Sequence, residues 1–445
     1  MDETTLDLPG LSSLDGKVVS ARFDGGALSS DGGLVLLREI DRREGLAERL
    51  AACIVDPRNP AYVQHSLADM IRFRRQMIAA GYEDGNDATA LRHDPLFRLA
   101  SDRSPSGRLL CSQPTLSRLE NLPDIRALIR MGKALVEQYC ASFRQVPKQI
   151  VLDIDDTFDA VHGEQQLRLF NAHYKDYGFQ PIVVFDGEGR IVCAVLRPAK
   201  RPTGCEIRAW LRRLLREIRS HWPRTQILLR GDSHYCTPEV LTWCRANGIG
   251  YCLGVAPTKT LRRHVADLEA STQARFDANP TGGKIRRFKT FHHAAASWGR
   301  VECIIARVEV GPQGCDTRFI VTSLTGRGRH LYEKVYCARG QAENHIKSWK
   351  THLAADRTSC HAATANQFRL FLHIAAYWLM WRLQTAIPKR SIWRRLDFQS
   401  LRLRLIKLAV RVIERKSVIR LHLPSACPHQ PLIRLILQRI PQTIP

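Results

Sequence analysis

An α/β fold with helical flanks is what this 445-residue sequence predicts, and three observations carry that prediction. Between residues 147 and 255, short apolar runs and amphipathic stretches follow one another in the order β-β-β-α-β-α-β. Residues 256–330 break that rhythm and alternate apolar with polar side chains, as antiparallel strands do. Residues 1–146, and the chain from about 331 onward, show the apolar spacing of three and four that marks helices.

In chain order, the N-terminal region (1–146) contains LADMIRFRRQMIAAGY (67–82) and PDIRALIRMGKALVEQYCASF (123–143), both helical in pattern. Within it, SQPTLSRLEN (112–121) opens on a Ser/Thr cap and places Arg118 one turn in, which makes it a candidate recognition helix for DNA. The core begins near 147. Apolar runs at 149–154, 181–186, 190–196, 226–230 and 249–254 predict strands. EIRAWLRRLLREIRSHW (206–222) and PEVLTWCRANG (238–248) predict the helices between them. We take 147–255 as the first part of the core, 256–330 as a β-rich insertion, 331–365 as the return of the core, and 366–445 as a basic helical C-terminal region. The apolar stretch 371–381 is too short to span a bilayer, which takes about 20 apolar residues, and predicts a buried helix.

Charge narrows the function. Lys and Arg number 67 against 43 Asp and Glu, a formal net charge of +24. Such an excess favours a polyanionic partner, and for a chain of this length nucleic acid is the simplest one. From Lys389 to Arg420, eleven basic residues face only Asp397 and Glu414, which predicts amphipathic basic helices able to follow a DNA backbone. The thirteen cysteines include no Cys-x-x-Cys pair, against a zinc ribbon or redox motif. The N-terminus has no apolar signal core, so the expected location is the cytosol with reduced thiols. No phosphate-binding loop or dinucleotide fingerprint is present, because SSDGG (29–33) is followed by no Gly-Lys-Ser/Thr.

The chemistry rests on acids. Asp153 and Asp155 share one face of the strand at 149–155, opposite Ile150, Leu152 and Ile154, and either could serve as a metal ligand. Asp156 points away from them. Acids crowding the C-terminal end of an apolar strand repel one another and call for a cation. Asp232 ends a second apolar run, after Gly231. Glu343 lies on a predicted helix whose polar stripe is Tyr336, Arg339, Glu343, Lys347 and Lys350, opposite Ala338, Ala342, Ile346, Trp349 and Leu353. Three carboxylates with arginine, lysine and tyrosine beside them match two-metal phosphoryl transfer, and hard oxygen ligands favour Mg2+ or Mn2+ over zinc. His162 and Gln165, just after the first acids, are further candidates to line such a site.

With those residues in place, the chain resembles the DDE transposases of bacterial insertion sequences, in the superfamily defined by Tyr, Arg, Glu and Lys with gaps of two, three and six. Tyr336, Arg339, Glu343 and Lys350 match without a gap change, Asp155–Thr157 matches Asp-x-Thr, and Asp232 matches the second acid. The resemblance implies a ribonuclease H-like mixed-sheet catalytic core with an inserted β-rich subdomain. It favours Asp155 over Asp153 as first acid and implies that Asp155, Asp232 and Glu343 bind two Mg2+ ions, with Mn2+ as a substitute. It implies endonucleolytic cleavage at terminal inverted repeats of an insertion sequence, then strand transfer into target DNA: cut-and-paste DNA transposition, a form of recombination by a mobile element. Tyr336, Arg339, Lys347 and Lys350 would contact DNA, and Trp298 would assist a flipped base. The partners would be double-stranded DNA and further copies of the chain in a synaptic complex, at least a dimer, in a bacterial cytosol at the nucleoid. Two other readings use the same residues: a non-catalytic DNA-binding protein derived from a transposase, and a structure-selective nuclease that cuts without joining.

Overall fold

The computed structural model describes residues 7–279 and 282–440. These fall into two compact units. One is drawn from Met1–Leu122, His352–Ala354 and Ala375–Pro445, the other from Pro123–Thr351 and Ala355–Ile374.

The first unit is mainly helical. Its helix Leu67–Ala80 starts on a Ser66–Asp69 capping box and is buried almost throughout, arginines included. Arg72 and Arg75 pair with Asp41, Arg75 also reaches Glu44, and Arg74 reaches Glu120, so each buried guanidinium has a carboxylate. The basic C-terminal stretch departs from the helical expectation. Val410–Glu414 and Ile419–His422 form an antiparallel hairpin, and Leu28–Ser29 pairs with its first strand. Val410 and Val412 are buried while Arg411 is exposed, a period of two that the Leu- and Ile-rich flanks obscure.

The second unit is built on one eight-stranded sheet. Its strands are β1 (Gln149–Asp156), β2 (Ile182–Asp186), β3 (Ile191–Val195), β4 (Gln226–Gly231), β5 (Gly250–Val255), β6 (Ile285–His293), β7 (Glu302–Gly311) and β8 (Gly314–Thr322), in the order β6-β7-β8-β5-β4-β1-β2-β3. β1, β4 and β5 run parallel to one another, whereas β2 is antiparallel to both its neighbours, β1 and β3. That order, 3-2-1-4-5 for the first five strands, gives the ribonuclease H-like mixed sheet expected. Three helices, α1 (Ile125–Ala141), α2 (Gly204–His221) and α3 (Pro238–Ala246), belong to the same unit, with α1 packed on α2 and β3. α1 thus goes with the sheet, although the helical spacing grouped it with the N-terminal region.

The stretch 256–330 also differs from its expectation. It begins with helices Lys259–Arg263 and Ala266–Ala278, and its three strands continue the core sheet, because β8 pairs with β5 from Phe319↔Val255 to Thr322↔Cys252. β5 would otherwise end the sheet as an open edge, and this pairing satisfies it. The predicted single helix around Glu343 is broken into a π-helical turn (Leu331–Tyr336), a 3-10 turn (Cys337–Gly340) and α4 (Gln341–Lys350). The wider and tighter turns shift the side-chain register, so Ala338 is exposed while Ala342, Trp349 and Leu353 are buried as expected. The predicted buried helix at 371–381 lies within α5 (Ala363–Ala386) and is buried. Among the described residues no helix is long and apolar enough to cross a membrane.

Candidate active site

The first two acids come together because β1 and β4 are parallel neighbours whose C-terminal ends point the same way. Their register sets Asp153 beside Arg230, and that pairing separates the two candidate first acids. Arg230 donates from Nε and Nη2 to the two Asp153 oxygens at 2.6 and 2.7 Å, with both side chains almost wholly buried. Two residues on, Asp155 and the β4 acid Asp232 line one cavity of about 640 Å3.

Asp155 is the most perturbed of these groups. Burial pushes its carboxyl up to about 7, against the pull of Arg339, and the neighbouring carboxylates of Asp232 and Asp156 push the same way. Arg339 donates from Nη2 to Asp155 at 2.7 Å, while its Nη1 lies 4.0 Å from Glu343 Oε1. The guanidinium therefore stands between the first and third acids. Glu343 itself is 72% exposed, so its carboxylate reaches toward the site from solvent.

The segment carrying Arg339 and Glu343 is tied down at several points. Arg230 Nη1 donates to the Val335 carbonyl at 2.6 Å, inside the π-helical turn, so the Asp153 pair also anchors this turn. Tyr336 reaches the β4–β5 end, where its hydroxyl oxygen would lie 2.7 Å from a Cβ on Gly254, and burial pushes its phenol up to about 12. Further along α4, the His345 ring occupies the space against Gly189, whose φ is +81°. Lys350 Nζ lies 3.3 Å from Thr157 Oγ1 and 3.4 Å from the buried Asp159, and also donates to the Phe158 carbonyl. The expected DNA lysine is thus engaged with the segment that follows β1.

Sequence reasoning passed over Asp156, which it turned away from the other acids. It lines the same cavity, accepting hydrogen bonds from Gln180 at 2.7 Å and Tyr235 at 3.1 Å. His234 lies beside it, part-exposed as a side chain, with Nδ1 3.7 Å from Asp156 and 3.9 Å from Asp232; that nitrogen is inaccessible and has no hydrogen-bond partner. The Asp232-Ser233-His234 triplet was visible, but nothing in it marked the histidine as a cavity residue. The other expected residues lie elsewhere. Lys347 is exposed on α4, Trp298 sits in the turn between β6 and β7 against His293, and Arg118 is exposed on helix Gln113–Glu120 of the first unit. His162 and Gln165 fall in the loop after Asp159–Ala160, where Gln165 accepts from the Gly163 amide, and neither lines the cavity.

Whether a divalent cation fits can be judged from the donors. Asp155, Asp156 and Asp232 line one cavity, and their carboxylate oxygens are the donors that suit a hard divalent ion. Arg339 holds the place where Asp155 and Glu343 would converge, and among the described residues no three such side chains stand ready to hold an ion together.

Residues 11–445 match the family model described as transposase DDE domain, group 1. No curated protein sequence matches the chain. Among solved structures, a piggyBac transposase synaptic complex with hairpin DNA aligns over 94% of this chain and 87% of that chain, at 11% identity and a TM-score of 0.37. With the family match running through nearly the whole sequence, this chain belongs to the DDE transposases.

Proposed function

We propose that the protein is a metal-dependent DNA transposase that cuts at the ends of its own element and joins those ends to target DNA. The observation that carries this reading is the convergence of Asp155 and Asp232 on one cavity, with Arg339 bridging from Asp155 toward Glu343. Asp155, Asp232 and Glu343 would hold the cations, with Mg2+ or Mn2+ the ions that suit their oxygens. Bound there, such ions supply activation of the attacking oxygen and neutralisation of the leaving one.

The chain's own residues do the rest. Asp153 and Arg230 fix the strand ends and the turn before Glu343. Arg339, which donates to Asp155, would offer its guanidinium to a scissile phosphate at the acids. Tyr336, whose hydroxyl lies close against Gly254, would limit where the DNA backbone can lie. Lys350 keeps the end of β1 and the end of α4 together through Thr157, Phe158 and Asp159, which sets the spacing of the first and third acids.

The test uses duplex DNA carrying the sequences that flank the coding region. With Mg2+ or Mn2+ the protein should release flanking DNA and yield products joined to target. Cleavage without joining would identify a nuclease, and binding without cleavage at any metal concentration would refute the enzymatic reading.

A further inference from the structure

The cavity has a second wall that the acids do not explain. After β1, the strands Asp159–Ala160, Leu169–Asn171 and Asp176–Phe179 form a small antiparallel sheet, and this sheet with its turn contributes Phe170, His173 and Tyr174 to the lining that Asp155 and Asp232 share. Phe170 and Tyr174 are each 50% exposed. Single exposed aromatics are ordinary, but two beside a charged cavity call for an occupant.

This wall is built, not loose. The Phe158 ring lies over Gly178, where a Cβ would come within 2.6 Å of it, and Tyr174 stacks on Phe158 at 4.3 Å and 10°. One face of Tyr174 is thus taken and its exposure lies on the remainder. Asn171 fixes the turn: its side-chain oxygen accepts from the amides of His173 (3.0 Å) and Tyr174 (3.4 Å). Its amide nitrogen donates to Gln180 and to the Ala199 carbonyl, and Gln180 donates to Asp156. A chain of hydrogen bonds therefore sets the aromatic turn at a fixed distance from the acid strand. The rim carries cations. Lys200 and Arg201 are exposed there, and Arg201 donates to the Ser233 carbonyl, next to Asp232.

We propose that this wall is a stacking subsite for an unpaired nucleobase of the DNA strand whose phosphate lies at the acids. Tyr174 and Phe170 would offer the stacking surface, and Lys200 and Arg201 would hold the adjoining phosphates. Half-exposed aromatic rings with cations alongside are the chemistry of single-strand binding, in which each stacked base adds about 5- to 150-fold in affinity. A base inside a duplex is stacked on both faces, and a cavity of about 640 Å3 admits nucleotides but no helix. The inference rests on DNA being the substrate of the neighbouring acids.

The test measures binding with EDTA present, so that it does not depend on cleavage. The probes are a fully paired duplex and the same duplex with its terminal three bases unpaired, one of them 2-aminopurine. The wild-type protein should prefer the unpaired probe and change its fluorescence on binding. Tyr174→Ala should lose that preference by about 5- to 150-fold and lose the fluorescence change, while its affinity for the paired duplex shows that it is folded. Tyr174→Phe should retain both. Equal binding of the two probes by the wild type, or an unchanged preference in Tyr174→Ala, would overturn the subsite. A separate reaction with Mn2+ and paired ends reports on the active-site reading alone, so the two can fail independently.

Discussion

The pairing of Asp153 with Arg230 yields the sharpest test of which acid is structural. Both side chains are nearly inaccessible, and the guanidinium makes three hydrogen bonds of 2.6–2.7 Å, two to Asp153 and one to the Val335 carbonyl. Removing one member of a buried pair leaves an uncompensated charge and costs about 3–5 kcal/mol. Arg230→Met also orphans the Val335 carbonyl, worth ~1–3 kcal/mol, but the terms overlap and the pair dominates. For a unit of 150–250 residues, each kcal/mol moves the midpoint by roughly 2–4 °C, so Arg230→Met should melt about 6–20 °C lower at pH 7.5. Asp153→Leu combined with Arg230→Met replaces the pair by apolar groups and should recover most of that loss, leaving about 1–3 kcal/mol for the carbonyl. Thermal melts of the wild type, both single variants and the double variant give the coupling directly. Mn2+ binding measured on the same proteins should survive in the double variant. If Asp153→Asn melted like the wild type yet lost Mn2+ binding, the roles given to Asp153 and Asp155 would be reversed.

Three further outcomes follow from the same geometry. Burial pushes Asp155 up to about 7, so protons should compete with metal there: Mn2+ affinity should fall about tenfold per pH unit below 7. A flat profile from pH 5 to 8 would contradict this, and Asp155→Asn should weaken binding and flatten the profile. Burial likewise pushes Asp159 up to about 7, while Lys350 pulls it down. A raised carboxyl makes stability fall as pH rises from about 4 to 7 and level off above, because over that range the unfolded chain is deprotonated and the folded one is not. Lys350→Met should lift Asp159 further, so its stability keeps falling above pH 7 where the wild type has levelled. Parallel stability curves from pH 5 to 9 would show that the two do not interact. Finally, Gly189→Ala puts a Cβ 2.5 Å from the His345 ring at a φ of +81°, and should cost at least 1–3 kcal/mol, roughly a left-handed strain term, while slowing cleavage through a displaced α4. An unchanged melt would show that the contact is yielding.

What the sequence disclosed follows the range of the interactions concerned. The strands of the core were legible because parallel strands buried on both faces read as unbroken apolar runs, and Ile150–Leu152 and Ile227–Leu229 are such runs. Asp155 and Asp232 stood out because an acid ending such a run has no apolar reason to be there. Features set by distant partners were hidden. The Arg230 bond to Val335 crosses 105 residues, and no local pattern announced the π-helical turn it holds. Asp156 gains its place from Gln180 and Tyr235, 24 and 79 residues away. That β6–β8 continue the core sheet depends on β8 meeting β5, and alternation along a strand says which face is buried, not which strand lies alongside. The polar stripe drew Lys350 toward solvent, yet a buried Asp159 claims it, because spacing on a helix does not reveal what the opposite element offers.

The central claim is that Asp155, Asp232 and Glu343 act together on a DNA phosphodiester. Single-turnover cleavage of end-bearing duplex DNA in Mn2+ tests it most directly, with Glu343→Gln as the decisive variant, since this exposed side chain supports no core packing. The account predicts a loss of about a hundred- to a thousandfold in cleavage rate, on the scale of removing a transition-state contact, with DNA affinity and melting temperature close to wild type. Cleavage by Glu343→Gln at the wild-type rate would contradict it.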